Sequence, residues 1–397
     1  MTISLRSKQL IDYFCGLPLI GIISVFGLLK KSLKPTPSEI ISPKQILFIK
    51  MQGGGSLVVA LPALLGIRNR YPDTKIIGVV TPGVLSFAEL LGVFDELMVI
   101  EDRSFLALFF STLRIIRSFF NIEVVVDLEV YSRLTTCLSF FLFPKFHITF
   151  FLDDLFLRKN IATHLIYFNR AYGAFYFYEQ IARLLVSEPA SFHECRASLI
   201  NNLKFDKNCT ALGARNVTIG TGCSDFGQMR KLNQVQWEII IQRQNSVSPI
   251  DRITFLGTEA DRLFSEKLIK SISAKNIDIT FENLSGKISL AEALRSIYLH
   301  GEYWGVDSGL LHFARILCRK VLSAWGPTDP RTRLKDNDEL EEQILYSAIP
   351  CSPCIHVSEE PPCGGNNLCI KRLFTSVADS EVSTNLIMLP TKGSLNE

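Results

Sequence analysis

The stretch "VDSGLLHFARILCRKVLSAWGPTDP" sets Asp307, Ser308, Gly309 and His312 where a strand-like run ends and a helical run begins, and the next strand-like run ends in Gly326, Pro327, Thr328, Asp329 and Pro330. A helix start with a small hydroxyl residue and a glycine offers free backbone N–H groups to a diphosphate. His312, one turn in, adds a donor. Upstream, "TGCSDFGQMRK" places Thr221 and Gly222 after another strand-like run, followed by Arg230 or Lys231 as a cation for a leaving diphosphate. Singly, the Asp-Ser pair is also an ordinary N-cap and His312 an ordinary core residue; the spacing to GPTDP is what sets them apart.

A second loop has the form of a substrate contact. "KMQGGGSLVVALP", residues 50 to 62, joins two apolar runs through Gly53, Gly54 and Gly55. Glycine tolerates dihedrals and close contacts that a Cβ forbids, so this backbone can turn tightly against a donor or an acceptor. It is not a P-loop, because no Gly-Lys-Ser/Thr follows, nor a dinucleotide fingerprint, because GxGxxG is absent. It contains no catalytic acid or base.

Short apolar runs at 46–50, 75–80, 96–100 and 123–128 alternate with helix-length segments, and the rhythm resumes at 216–222, 252–258, 278–283, 301–307 and 320–327. That alternation is a parallel sheet with crossover helices, twice over. The expected fold is α/β of the GT-B arrangement, two Rossmann-like domains facing a central cleft at the C-terminal ends of both sheets. The expected divisions are an N-terminal hydrophobic segment 1–37, a first domain 38–190, a connection 191–212 and a second domain 213–397.

A chain of 397 residues with 47% hydrophobic and 20% charged residues is neither disordered nor a single ordinary core. Its 42 Lys and Arg against 39 Asp and Glu exclude a general nucleic-acid binder. The 28 phenylalanines, with a mean hydropathy of +0.22, raise the question of a membrane. Tyr13 to Leu29 carries no charge and is followed by Lys30, Lys31 and Lys34; it is short for a span and interrupted by Gly16, Pro18, Gly21 and Gly27. An in-plane or re-entrant anchor on the anionic cytoplasmic leaflet is the preferred reading, with a true span and a helix packed on the domain left open. In "SFLALFFSTLRIIRSFFN" a narrow polar stripe (Ser104, Ser111, Arg114, Ser118, Asn121) crosses an apolar helix, and "CLSFFLFPKFHITFFLDDLFL" mixes phenylalanine with charge. Both read as core by default, with lipid contact as the alternative.

Six of the cysteines (Cys15, Cys137, Cys195, Cys209, Cys223, Cys318) are scattered as small buried hydrophobes of a reducing compartment would be. Cys351, Cys354, Cys363 and Cys369 cluster in a Pro- and Gly-rich loop, a pattern open to a structural zinc, local disulfides or unlinked thiols.

The sequence resembles the heptosyltransferase-like glycosyltransferases of family 9. "DSG…H…GPTDP" is similar to the family's strand-to-helix turn and following loop. "ILFIKMQGGGSLVVALPALLGIRNRYPDTKI" is similar to its opening strand, glycine loop and Tyr-Pro turn, and "GKISLAEAL" to its Gly-Lys-x-Ser-Leu element. With its hydrophobic N-terminus, "VVVDLEVYSR" and "ATHLIYFN", the chain most resembles a membrane-associated branch. The resemblance implies transfer, with inversion and without a required metal, of a sugar from a nucleotide diphosphate-sugar to a lipid-linked or lipopolysaccharide-type glycan at the cytoplasmic face of the inner membrane.

The family's glycine loop ends in Gly-Asp, the expected base, whereas this chain has Gly55-Ser56. Serine alone takes no proton at neutral pH, so the base has moved or activity is lost, leaving a homologue that binds nucleotide or glycan and scaffolds envelope assembly. Asp127 and Glu129, at the end of the fourth strand, are expected on the same cleft. Glu129 is the favoured base, Asp127 a strand-end hydrogen-bonding group and His164 a third candidate; alternatively both carboxylates only cap the loop or pair with Arg133.

Overall fold

The computed structural model describes residues 5–33, 40, 42–204, 215–223, 225–275, 277–355, 361 and 363–375. It divides into two compact units, Met1–Asn202 and Leu203–Glu397. The first contains β1 (Gln45–Lys50), β2 (Lys75–Val80), β3 (Glu96–Val99), β4 (Val124–Asp127), β5 (Phe146–Phe151) and β6 (His164–Tyr167). The second contains β7 (Asn216–Gly220), β8 (Arg252–Leu256), β9 (Thr280–Asn283), β10 (Glu302–Val306), β11 (Lys320–Trp325) and β12 (Glu341–Tyr346).

Both sheets are parallel throughout, in the orders β3-β2-β1-β4-β5-β6 and β12-β11-β10-β7-β8-β9. Helices cover both faces, which is why the central strands are nearly all apolar: Ile46 to Ile49 and Val124 to Val126 are buried without alternation. In each sheet the chain order reverses beside the unit's first strand, at β1/β4 and at β7/β10. The crevice beyond the C-terminal ends of those strands is where open α/β sheets bind ligands.

All nine runs read as strands are strands. The three not singled out are β5, hidden in the phenylalanine-rich stretch, and the edge strands β6 and β12, whose mixed "HLIY" and "EEQILY" carry the polar residues that protect an edge. The stretch 137–157 is chiefly core, with Phe146, Ile148 and Phe150 buried on β5. Within 191–212, Phe192–Asn202 is a helix of the first unit that buries Cys195 and Leu199, while 205–214 lies outside the described residues.

The N-terminal segment is a continuous rod: a helix Leu5–Ile11, a π turn Asp12–Gly16 and a helix Leu17–Leu33. It is docked on the first unit. Ile20 and Ile23 join Cys137 and Ile161 in a small buried cluster, and a Cβ on Gly27 would stand 2.5 Å from the Asn160 carbonyl oxygen, so only glycine permits this approach. Asp12 caps the Arg133–Phe141 helix from outside: its Oδ1 accepts from Ser132 Oγ (2.7 Å) and from the N–H groups of Arg133 (2.8 Å) and Leu134 (2.9 Å). Lys34 lies outside the described residues.

Candidate functional site

At the reversal in the second sheet, Ser308 is the N-cap of the Gly309–Leu317 helix, its Oγ accepting from the Leu311 N–H at 3.4 Å. Asp307 just before it is 4% exposed. Arg230 reaches it twice, Nη1 standing 3.2 Å from the Asp307 carbonyl and 3.3 Å from Oδ2, and His312 Nε2 lies 3.6 Å from Oδ1, an ion-pair rather than a hydrogen-bond distance. Burial alone would raise this carboxyl; Arg230, His312 and Arg333 outweigh it and hold it well below the usual carboxylate range. Lys231 is likewise committed, Nζ to Asp261 Oδ1 at 2.9 Å. The expectation that Arg230 or Lys231 stands free for a diphosphate therefore changes: each is already neutralised by a carboxylate.

What is left unsatisfied lies on either side. Thr221, after β7, and Thr328, after β11, flank the β10 end; both are buried, and neither hydroxyl has a hydrogen-bond partner among the described residues. Arg230 Nε is in the same condition. Buried polar atoms of this kind are uncommon unless something else satisfies them. Gly222 is required by packing, since a Cβ there would meet Asp261 Oδ2 at 2.3 Å.

In the first unit, Gly53 adopts the left-handed conformation (φ 76°) that starts the Gly54–Val59 helix. A Cβ on Gly54 would fall 2.4 Å from the Phe87 ring, and Gly55 follows inside the helix. Ser56 turns its hydroxyl back to donate to the Gly53 carbonyl at 2.7 Å, within its own turn of helix. Glu129 Oε1 accepts the N–H groups of Met51 (2.8 Å) and Gln52 (2.9 Å) and pairs with Lys50 Nζ at 3.1 Å. Glu129 thus pins the glycine loop, while its Oε2 takes no hydrogen bond among the described residues. Burial opposes the Lys50 charge, yet Glu129, with Tyr178 and Asp127, leaves the ammonium raised above its ordinary value.

Asp127 is wholly buried and occupied: Oδ1 accepts the Glu129 N–H (3.0 Å), and Oδ2 accepts the hydroxyls of Thr135 (3.0 Å) and Thr136 (3.3 Å). Burial pushes it up to about 6 against the pull of Arg158. It has no face left for a substrate. Arg133 pairs with Asp12 rather than with either carboxylate. His164 opens β6 and so lies at the N-terminal edge of the sheet, opposite the loop, with Nδ1 2.9 Å from Thr163 Oγ1; the third candidate base is removed by strand direction alone.

The sequence held no signal for Arg158, whose side chain is fully buried. Its Nη1 donates to the carbonyls of Val130 (3.0 Å) and Phe150 (2.8 Å), and Nη2 to those of Glu129 (3.1 Å) and Ser132 (2.6 Å). The loop carrying Glu129 hangs on this one guanidinium. Lys50 and Asp261 were missed for the same reason, their partners being distant in sequence.

The four clustered cysteines stand near one another, Cys354 feeling Cys363 and Cys351, and Cys369 feeling Cys354 and Cys351. All are free thiols, and among the described residues no three His, Cys, Asp or Glu side chains come together to hold an ion. Cys369 sits on the Leu368–Thr375 helix, which turns its thiol into the core 3.2 Å from where a Gly326 Cβ would stand. The loop acts as a buttress. Ser352 Oγ donates to the Gly326 carbonyl (2.6 Å), and the N–H groups of Cys354 and Ile355 both reach the Pro327 carbonyl (3.1 Å), fixing the GPTDP turn.

Comparison with known proteins gives the arrangement a context. The chain is similar to the glycosyl transferase family 9 structure from Veillonella parvula (12% identity over 78% of this chain and 88% of that one, TM-score 0.59). It is also similar to the E. coli heptosyltransferase WaaC solved with ADP (14%, 84% and 99%, TM-score 0.61) and to E. coli ADP-heptose LPS heptosyltransferase II (13%, 78% and 95%, TM-score 0.56). No curated protein matches by sequence. The family model of glycosyltransferase family 9 (heptosyltransferase) matches residues 239–363. That match falls on the unit whose strand ends hold Asp307, Ser308 and Thr328, and the chain is a glycosyltransferase of the GT-B fold, similar in its C-terminal unit to the family 9 heptosyltransferases.

Proposed function

We propose that the chain moves a heptose or hexose, with inversion and no metal in the step, from a nucleotide diphosphate-sugar to a lipid-linked or lipopolysaccharide-type glycan at the cytoplasmic face of the inner membrane. The observation that carries the donor half is the pair of buried, unpartnered hydroxyls of Thr221 and Thr328 beside the helix start at Ser308. Diphosphate oxygens satisfy those hydroxyls, while the free N–H groups at Gly309 and the side chain of His312 meet the negative charge that develops on departure. Asp307 takes no direct part: it holds Arg230 and His312 in place. ADP and an ADP-heptose analogue in the E. coli heptosyltransferase structures support a nucleotide diphosphate-sugar as the donor class.

On the acceptor side, Glu129 Oε2 takes the proton from the acceptor hydroxyl as that oxygen bonds to the anomeric carbon, and the bond from that carbon to the diphosphate oxygen breaks with its electron pair. Glu129 reads better than Asp127 in this role because Asp127 has spent both oxygens on the protein.

Thermal stabilisation by ADP, UDP, GDP and CDP tests the reading. At about a hundred times its dissociation constant one nucleotide is expected to add about 2.7 kcal/mol, and no shift with any of them would overturn it. Thr328→Val is the companion: its ligand-free melting temperature is expected to hold or rise, because an unpaired buried hydroxyl is replaced by an isosteric methyl, while the nucleotide shift shrinks. A full nucleotide shift in this variant would remove Thr328 from the site.

A further inference from the structure

The Phe105–Ser118 helix is apolar on both sides: Ile115, Leu108 and Ile116 pack into the core of the first unit, and a second apolar face is turned outward. Ser111, its most buried polar residue, accepts the Glu101 N–H at 3.1 Å and donates to the Ala107 carbonyl at 2.7 Å, whereas Phe105, Leu106, Phe109 and Phe110 are exposed, Phe110 by 63%. A helix of a soluble domain keeps its outer side polar. The N-terminal rod is likewise apolar on both sides: Ile20 and Ile23 face the domain, while Phe14 (67% exposed), Ile22, Phe26 and Leu29 face away.

The two helices belong to one surface, since both pack against the Arg133–Phe141 helix. At their C-terminal ends they are linked by rings: Phe120 stacks on Phe143 (centroids 5.9 Å apart, planes at 19°), and Lys30 Nζ stands 4.1 Å from the Phe143 centroid. Arg117, Lys31, Lys145 and Lys159 gather at the same edge, Lys31 Nζ reaching the Lys159 carbonyl at 2.6 Å.

We propose that this face seats the first unit on an anionic membrane leaflet, with both helices lying in the interfacial plane, their Phe and Leu sides among the acyl chains and the Lys/Arg edge on the headgroups. Asp12 and Gly27 hold the rod along the domain, which fits an in-plane helix and not one that crosses the bilayer alone. Charge selects the occupant: pairing this face with a second copy would bring two sets of the same cations into one interface, whereas anionic lipid neutralises them. The rod's Asp12 end and the start of the Phe105–Ser118 helix both lie at the C-terminal strand edge that carries Glu129, so a lipid-borne acceptor would arrive from the seated side. This last step rests on the transfer reading; the membrane seat does not.

Flotation of the full chain with vesicles of phosphatidylethanolamine and phosphatidylglycerol, against phosphatidylcholine vesicles, tests the seat. The wild type is expected to float with the anionic vesicles. Phe109→Glu with Phe110→Glu should lower its partition coefficient at least tenfold, and Lys145→Glu with Arg117→Glu should lower binding to the anionic vesicles alone. Phe105→Ser gives the same test should the double glutamate variant fail to fold. The proposal is overturned by a wild type that stays in solution, by aromatic variants that float unchanged, or by a lipid-free dimer that those variants dissolve. The nucleotide shift, measured on the same preparations, reports the transferase reading separately, because it depends on the second unit.

Discussion

Glu129→Gln is expected to lower turnover at least about a hundredfold while leaving the nucleotide-induced stabilisation nearly unchanged. The substitution separates the two oxygens of the side chain. An amide oxygen in place of Oε1 still accepts the Met51 and Gln52 N–H groups, so the glycine loop keeps its anchor, but an amide nitrogen in place of Oε2 has no lone pair for the acceptor's proton. The variant also strips Lys50 of its carboxylate, and breaking one side of a buried pair costs about 3 to 5 kcal/mol. Adding Lys50→Met to Glu129→Gln is expected to restore the melting temperature without restoring turnover. Near-normal turnover in either variant would take Glu129 out of the chemistry and leave it as the loop's clamp.

Arg158→Met should destabilise the protein by about 3 to 5 kcal/mol, the range for removing one member of a buried charged network. Four carbonyls, those of Glu129, Val130, Phe150 and Ser132, lose the guanidinium together, and Asp127 loses the cation that most opposes its burial. Arg158→Lys is expected to recover only part of the loss, because an ammonium is a point donor and cannot span two pairs of carbonyls as the guanidinium fork does. Calorimetry decides the matter: a loss below about 1 kcal/mol in the Met variant would mean that the Glu129 loop is held by something else.

The parallel sheets were legible because buried parallel strands need unbroken apolar runs, and "ILFIK", "KIIGVV" and "VVVD" have little else they can be. The polar residues on the edge strands β6 and β12 broke that signature and hid them. The helix start at Ser308 was equally legible, since a cap, a glycine and the following strand end are local features. Partnerships were not. The fate of Arg230 and Lys231 depends on Asp307 and Asp261, brought beside them from other strand ends, and the fate of Cys369 depends on a helix face that turns its thiol to Gly326.

The N-terminal segment divides in the same way. Its apolar length follows from composition, but whether its phenylalanines face protein or surroundings depends on what packs against the other side, and Ile20, Ile23 and Gly27 answer that only once the Arg133–Phe141 helix and Asn160 are in place. The same holds for the carboxylate proposed as the base. Two acids two residues apart at one strand end are indistinguishable in sequence, because neighbouring positions share composition and register. The tertiary structure separates them: three hydrogen bonds consume Asp127 and the loop engages only one oxygen of Glu129, so the difference between an occupied carboxylate and one with an oxygen to spare comes from long-range donors that no local pattern encodes.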